Sequence, residues 1–293
     1  MAEGTTELRS PLARLRRDRL ARLSFAPPPA DAAREALRTR LEADLDRTCA
    51  ELPQPLAAAA GALLRRYGGG RLGFVELFLT PTWSFLAQQQ HRQAERAQAH
   101  ALLLHLLDDH LCDGQLATDA VSLHLRTAAW RRYEADLRDL APEWIDEHLV
   151  RYFRGLTHGR SLASLDDYLA QARDEAALWT AVPRLIAGPR LAAVVEDLCL
   201  AWRLLDDLQD GAADHRAGHR SALWWGAPAE LRADWDSTRP EHWPALVEAL
   251  DAHGVINDRM IEIRRFMNRA KAGADDCGFV ALGLEIDALL SGL

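Results

Sequence analysis

Residues 102–113 read LLLHLLDDHLCD, and residues 194–210 read VVEDLCLAWRLLDDLQD. Each is an apolar helical stretch that runs into a pair of aspartates and then a third. These are Asp108, Asp109 and Asp113 in the first, and Asp206, Asp207 and Asp210 in the second. A helix turns by about 100° per residue, so Asp109 shares a face with Asp113, and Asp206 with Asp210. Asp109 stacks above His105, Leu106 and Leu102, and Asp206 above Trp202, Cys199 and Val195. Both clusters continue an apolar stripe and are expected to point inward, at the ends of their helices. Carboxylates placed there meet a desolvation cost and an unfavourable helix dipole. Divalent cations offset both, and Mg²⁺ takes one or two carboxylates, several waters and phosphate oxygens. Two acidic walls over an apolar pit suit a diphosphate head with a hydrocarbon tail.

Working outward, the pattern predicts further helices over 31–66, broken near Pro53–Pro55, and over 74–90, kinked at Pro81. Others fall at 91–112, 119–140, 144–155, 165–186, 190–210, 244–254, 256–271 and 279–290. Gly68, Gly69 and Gly70 form a break. No alternating strand pattern of useful length and no fixed-period repeat is present. The expectation is an all-α bundle forming one domain over 31–293, preceded by an Arg-rich arm over 1–30. Residues 9–22, RSPLARLRRDRLAR, hold six arginines. They read as a solvated helix or frayed terminus, with docking on anionic lipid as the alternative.

Composition narrows the class. The 293 residues are 48% hydrophobic and 27% charged, which is enough apolar material for a sizeable core. A net charge of −8 argues against a nucleic-acid partner. It is no obstacle to an anionic substrate if metal ions carry the positive charge. Lys271 is the only lysine, so basic sites elsewhere must use Arg or His. Cys49, Cys112, Cys199 and Cys277 form no CxxC pair and read as small hydrophobes in a reducing compartment. There is no signal-peptide pattern and no run near the roughly 20 apolar residues needed to span a bilayer. A cytoplasmic protein without stable membrane insertion is therefore expected.

The two acidic segments, extended to LLDDHLCDGQLATDAVSLHLR (106–126) and LLDDLQDGAADHRAGHRSAL (204–223), resemble the two aspartate-rich motifs of the isoprenoid synthases, the trans-prenyltransferase and class I terpene synthase group. Residues 158–188, HGRSLASLDDYLAQARDEAALWTAVPRLIAG, resemble the family's GQ…EEYL…KTxxL…G segment, and residues 68–79, GGGRLGFVELFL, its GGKRLRP segment. The first motif is most similar to that of the moenomycin-type prenyltransferase. The resemblance implies a helical bundle around a deep apolar cavity, and a homodimer. It also implies Mg²⁺ held by Asp108, Asp109, Asp113, Asp206, Asp207 and Asp210. Asp108, Asp109, Asp206 and Asp207 would then be catalytic, acting on a prenyl diphosphate of ten to twenty carbons (C10–C20).

The sequence also departs from that pattern. Gly70 and Gly73 stand where the family has basic residues, Asp174 and Glu175 where it has Lys-Thr, and Arg160 and Arg203 where it has glutamines. No RRG triplet follows the first motif. An acidic pair in place of a basic one argues against ordinary chain elongation and favours intramolecular cyclisation, that is, a class I terpene synthase. The alternatives are a prenyltransferase with an atypical acceptor and a non-catalytic partner subunit of a prenyl synthase. Diphosphate-binding groups are then expected among Arg160, Arg203, Arg216, His219 and Arg220, since Arg suits bidentate phosphate contact. Trp83, His105, Leu106, Trp179 and Trp202 are expected to line the cavity, where aromatic faces stabilise a carbocation. The stretch from Trp224 to Trp243 is expected to be a loop that closes over the site.

Overall fold

A computed structural model describes residues 32–66, 91–112, 114–140, 145–157, 162–237 and 240–291. The N-terminal arm, Trp83, Asp113 and Arg160 lie outside the described residues, as do the expected helix over 74–90 and the Gly68–Gly70 break. Among the described residues every regular element is helical. In chain order they are α1 (Ala32–Ala50), α2 (Leu56–Arg66), α3 (Arg92–Cys112), α4 (Ala120–Leu140), α5 (Ile145–Thr157) and α6 (Leu165–Glu175). There follow α7 (Ala177–Ala217), α8 (Ala222–Gly226), α9 (Ala229–Asp236), a 3-10 turn (Pro240–His242), α10 (Trp243–Ala252), α11 (Val255–Asp276) and α12 (Val280–Leu290). The chain is thus all-α, as expected. No described helix is long and apolar enough to cross a membrane.

The element starts follow local chemistry. Ser164 caps α6 by accepting the Asp167 N–H at 3.1 Å, while Asp167 accepts the Ala163 N–H. Two prolines, Pro53 and Pro55, divide α1 from α2 where the sequence placed a break. The expected break between 186 and 190 is a kink inside α7. Ala187 and Gly188 leave helical geometry there, with Gly188 at φ +77°, and Pro189 follows.

The long α7 is the axis of the bundle. It packs along α11 and also touches α3, α5, α6 and α8. The core joins leucines of α1 and α3 to the inward stripe of α7, including Leu191, Val195, Leu200, Leu204 and Leu208, and to Ile263, Phe266 and Ala270 of α11. Buried polar contacts fix how these helices seat. His100 donates Nδ1–H to the Arg96 carbonyl and accepts from Thr48 Oγ1, both at 2.8 Å, and burial depresses its imidazole. Arg96 forks onto Asp136, pinning α3 to α4. Such charge-assisted, two-pronged bonds fix orientation as well as adding stability.

α5 and α6 approach unusually closely. A Cβ at Gly155 would lie 2.6 Å from the Glu175 backbone nitrogen, so only glycine fits. This brings Arg151 and Arg154 of α5 against the C-terminal end of α6.

Candidate functional site

The first acidic cluster closes α3. Asp108 is 5% exposed, and two other helices grip its carboxylate. Arg126 of α4 donates Nε–H to Oδ1 at 2.5 Å and Nη2–H to Oδ2 at 3.0 Å. The Tyr152 hydroxyl of α5 donates to Oδ2 at 2.6 Å. Burial, reinforced by the charge of Asp108, pushes the Tyr152 phenol far up, so it serves here as a donor. Asp109, about 100° further round the helix, is half-buried with no hydrogen bond or ion pair among the described residues.

The second cluster repeats the scheme in the middle of a helix. Asp207 is 4% exposed. The Tyr168 hydroxyl of α6 lies 3.0 and 2.8 Å from its two oxygens, and the Ala222 N–H, at the start of α8, donates to Oδ2 at 2.9 Å. Arg203, one turn earlier on α7, donates Nε–H to the Tyr168 oxygen at 2.6 Å and stands 3.6 Å from Asp207 Oδ1. Burial raises the Asp207 carboxyl, while Arg203, the Ala222 N–H and Tyr168 oppose that rise.

Asp206 and Asp210 behave differently, and the expectation that they face a packed interior is corrected: both are open to solvent. Surrounding protein nevertheless disfavours the charged form of Asp206. Its carboxyl is pushed up to about 7, first by this enclosure and then by the charges of Asp210, Asp207 and Asp109, with Arg203 opposing. Asp109 is thus near enough to Asp206 to act on its charge, and α3 packs against α7. One turn beyond Asp210, Asp214 is also pushed up to about 7 by enclosure, Asp207, Asp206 and Asp210. A second correction concerns the helix itself. α7 runs on to Ala217, so the second cluster is not at a helix end and the C-terminal dipole does not act on Asp206 or Asp207.

Among the described residues no three His, Cys, Asp or Glu side chains gather closely enough to cage an ion. Mg²⁺ does not need a cage, because waters and phosphate oxygens complete its shell. Asp109, Asp206 and Asp210, with no hydrogen bond or ion pair among the described residues, fit that style of binding.

The other expected residues divide. His105, one turn below Asp109, packs edge-on against Trp179 of α7 at a centroid distance of 4.9 Å. Leu106 is buried and Trp202 half-buried against the core. Arg203 is at the second cluster, and the exposed His219 places Nδ1 3.9 Å from Asp214. Arg216 is exposed. Arg220 is turned to Asp236 at 3.0 Å and lies over the Trp224 ring at 4.2 Å. The stretch from Trp224 to Trp243 is not a loop. It folds as α8, α9 and the 3-10 turn, because Trp224, Trp225 and Trp235 are buried. The indole N–H groups of Trp224 and Trp235 donate to Asp236 (2.9 Å) and to the His219 carbonyl (3.0 Å).

The acidic pair of α6 is also less repulsive than its sequence suggests. Arg154 forks onto Asp174 at 2.5 and 2.9 Å, with Arg151 at 3.3 Å, and the two arginines hold its carboxyl below its usual range despite burial. Glu175 accepts from Gln171 at 2.8 Å and lies 4.0 Å from Arg203. Sequence reasoning missed Arg126, Tyr152, Tyr168 and Asp214. The four-residue spacing of Asp206, Asp210 and Asp214 was a legible signal for the last. Nothing local marks the other three, whose partners lie 18 to 44 residues away.

No protein-family model matches the sequence. No curated protein matches it significantly either. Solved structures do match. A geranylgeranyl pyrophosphate synthase from Lactobacillus brevis superposes with a TM-score of 0.66 at 18% identity, covering 88% of this chain and 96% of that one. A polyprenyl synthetase from Streptomyces coelicolor gives 0.63 at 15% identity, over 88% and 97%. A geranylgeranyl pyrophosphate synthetase from the archaeon Geoglobus acetivorans gives 0.59 at 15%, over 88% and 98%. The fold is that of the isoprenoid synthases of the trans-prenyltransferase type.

Proposed function

We propose that this chain ionises an allylic prenyl diphosphate and joins the allylic group to an acceptor, with release of diphosphate. The observation that carries the reading is that Asp109 of α3 lies near enough to Asp206 of α7 to raise its carboxyl, in a fold shared with prenyl diphosphate synthases. Asp109, Asp206 and Asp210, with Asp113, would hold Mg²⁺; Asp108 and Asp207, expected from sequence as ligands, would support them. Bound there, Mg²⁺ supplies Lewis-acid pull on the departing diphosphate. Arg203 and His219 would meet diphosphate oxygens. His105, Leu106, Trp179 and Trp202 would line the pit below, excluding water and presenting indole faces to a developing cation.

Transfer is placed ahead of cyclisation because Asp174, read from sequence as a bar to a second anionic substrate, is neutralised by Arg151 and Arg154. The similar structures are also a geranylgeranyl pyrophosphate synthase and a polyprenyl synthetase. Cyclisation stays as the second reading on the loss of basic residues at Gly70 and Gly73. The test is product analysis after incubating the pure protein with Mg²⁺ and each of the C10, C15 and C20 allylic diphosphates, with and without isopentenyl diphosphate. A longer diphosphate formed only with isopentenyl diphosphate supports transfer. A hydrocarbon or alcohol from one allylic substrate alone supports cyclisation. No turnover under any condition supports an untested acceptor or the non-catalytic partner.

A further inference from the structure

Both acidic pairs divide in the same way. One carboxylate of each is buried and engaged, and its sequence neighbour has no hydrogen bond or ion pair among the described residues. Asp108 is held by an arginine and a tyrosine, Arg126 and Tyr152. Asp207 is held by a tyrosine, Tyr168, that in turn accepts from an arginine, Arg203, and by the Ala222 N–H. The tyrosines come from consecutive helices, α5 and α6, so one helix pair braces both walls. Gly155 lets that pair close together.

Each engaged carboxylate has little left to offer a cation. Arg126 occupies both oxygens of Asp108, and Tyr152 adds a second donor to Oδ2. Tyr168 and Ala222 converge on Oδ2 of Asp207. A helix can still slide or rotate, and these buried carboxylates are the points at which neighbouring helices hold it. Setting Asp108 sets the rotation of the last turn of α3, and with it Asp109. Setting Asp207 does the same for Asp206 and, one turn on, Asp210.

We propose that Tyr152 with Arg126, and Tyr168 with Arg203, are positioning residues that use one aspartate of each pair as a brace and so aim the other at the metal. This rests on the reading of Asp109, Asp206 and Asp210 as the Mg²⁺-holding set. Groups that orient metal ligands from behind typically change metal affinity by about 10- to 100-fold when removed.

The experiment uses the full chain and Mn²⁺ as probe for the Mg²⁺ site, counting free ion by electron paramagnetic resonance, with no prenyl substrate and inorganic diphosphate in a second series. Tyr168→Phe removes one hydroxyl from a buried ring and is expected to weaken Mn²⁺ binding about 10-fold or more while the metal-free protein keeps its helical circular dichroism. Tyr152→Phe is expected to do the same, and serves alone if Tyr168→Phe does not fold. Asp109→Asn and Asp206→Asn should lose binding outright. Unchanged Mn²⁺ affinity in a folded tyrosine variant overturns the bracing role while leaving the metal site standing. Loss of binding in Asp108→Asn with retention in Asp109→Asn overturns it too, because Asp108 would then be a ligand. Absence of Mn²⁺ binding by the unmodified chain, with or without diphosphate, overturns the metal reading and the bracing role together.

Discussion

The two acidic walls use the same residue types to different effect. On α3, Asp108 meets the full fork of Arg126, so much of the charge of that pair is answered by protein. On α7, Asp206, Asp207, Asp210 and Asp214 follow one another over two turns, with Arg203 the guanidinium among them. Among the described residues the first wall sets two carboxylates against one guanidinium, and the second sets four against one. Charges crowded in an enclosed space favour their neutral forms, which is why Asp206 and Asp214 are raised to about 7. The demand for an external cation is therefore concentrated on α7.

The severest break of this contrast is Asp206→Ala. It should abolish Mg²⁺-dependent turnover with the helical spectrum intact, and Asp109→Ala should do the same. Full activity in either would sink the metal assignment. Next come the braces. Asp207→Ala strands the buried Tyr168 hydroxyl and the Ala222 N–H, and should cost about 1–3 kcal/mol for each stranded group. Asp108→Ala should cost less, because both partners it leaves, Arg126 and Tyr152, are side chains and no backbone N–H is stranded. Chemical denaturation of the two variants checks the order, and equal losses would erase the distinction between the walls.

A third prediction concerns the contact of α5 with α6. Gly155→Ala forces a Cβ into the Glu175 backbone. Overpacking of this kind costs about 1–3 kcal/mol, and should weaken metal binding as well, since it moves both tyrosines. A fall in melting temperature with unchanged Mn²⁺ affinity would separate the helix contact from the site.

The smallest effect is a pH dependence. Asp206 and Asp214 have folded values near 7, above the ordinary 3.8. The folded state then binds more protons than the unfolded one between those values. Stability from these groups is present below about pH 4 and lost as pH rises towards 7. Mg²⁺ with diphosphate relieves that loss, so the rise in melting temperature they produce should grow from pH 5 to pH 8. A rise independent of pH would mean that the α7 wall is not where the ions act.

Much of this protein was legible in one dimension. Apolar periodicity placed α3 and α4 within a residue or two, because a helix buries one face and its register is written in that face; it ran 165–186 together as one helix and so missed the boundary at Ala176 that divides α6 from α7. The third-and-fourth-residue spacing of carboxylates identified the acidic walls. Periodicity could not say which aspartate of each pair is braced and which is free. Neighbours about 100° apart both lie near the edge of an apolar stripe, and which one finds a partner depends on helices arriving from elsewhere. Tyr152 and Tyr168 are unremarkable in sequence and decisive only once α5 and α6 stand against α3 and α7. The stretch from Trp224 to Trp243 was misread for the same reason: its prolines and mixed charges suggest a loop, but burial of its tryptophans against α7 and one another makes it a packed set of short helices. Local spacing thus determined the helices and the chemistry they carry. Long-range packing alone decided which carboxylates remain free, because a buried charge is defined by the groups that surround it.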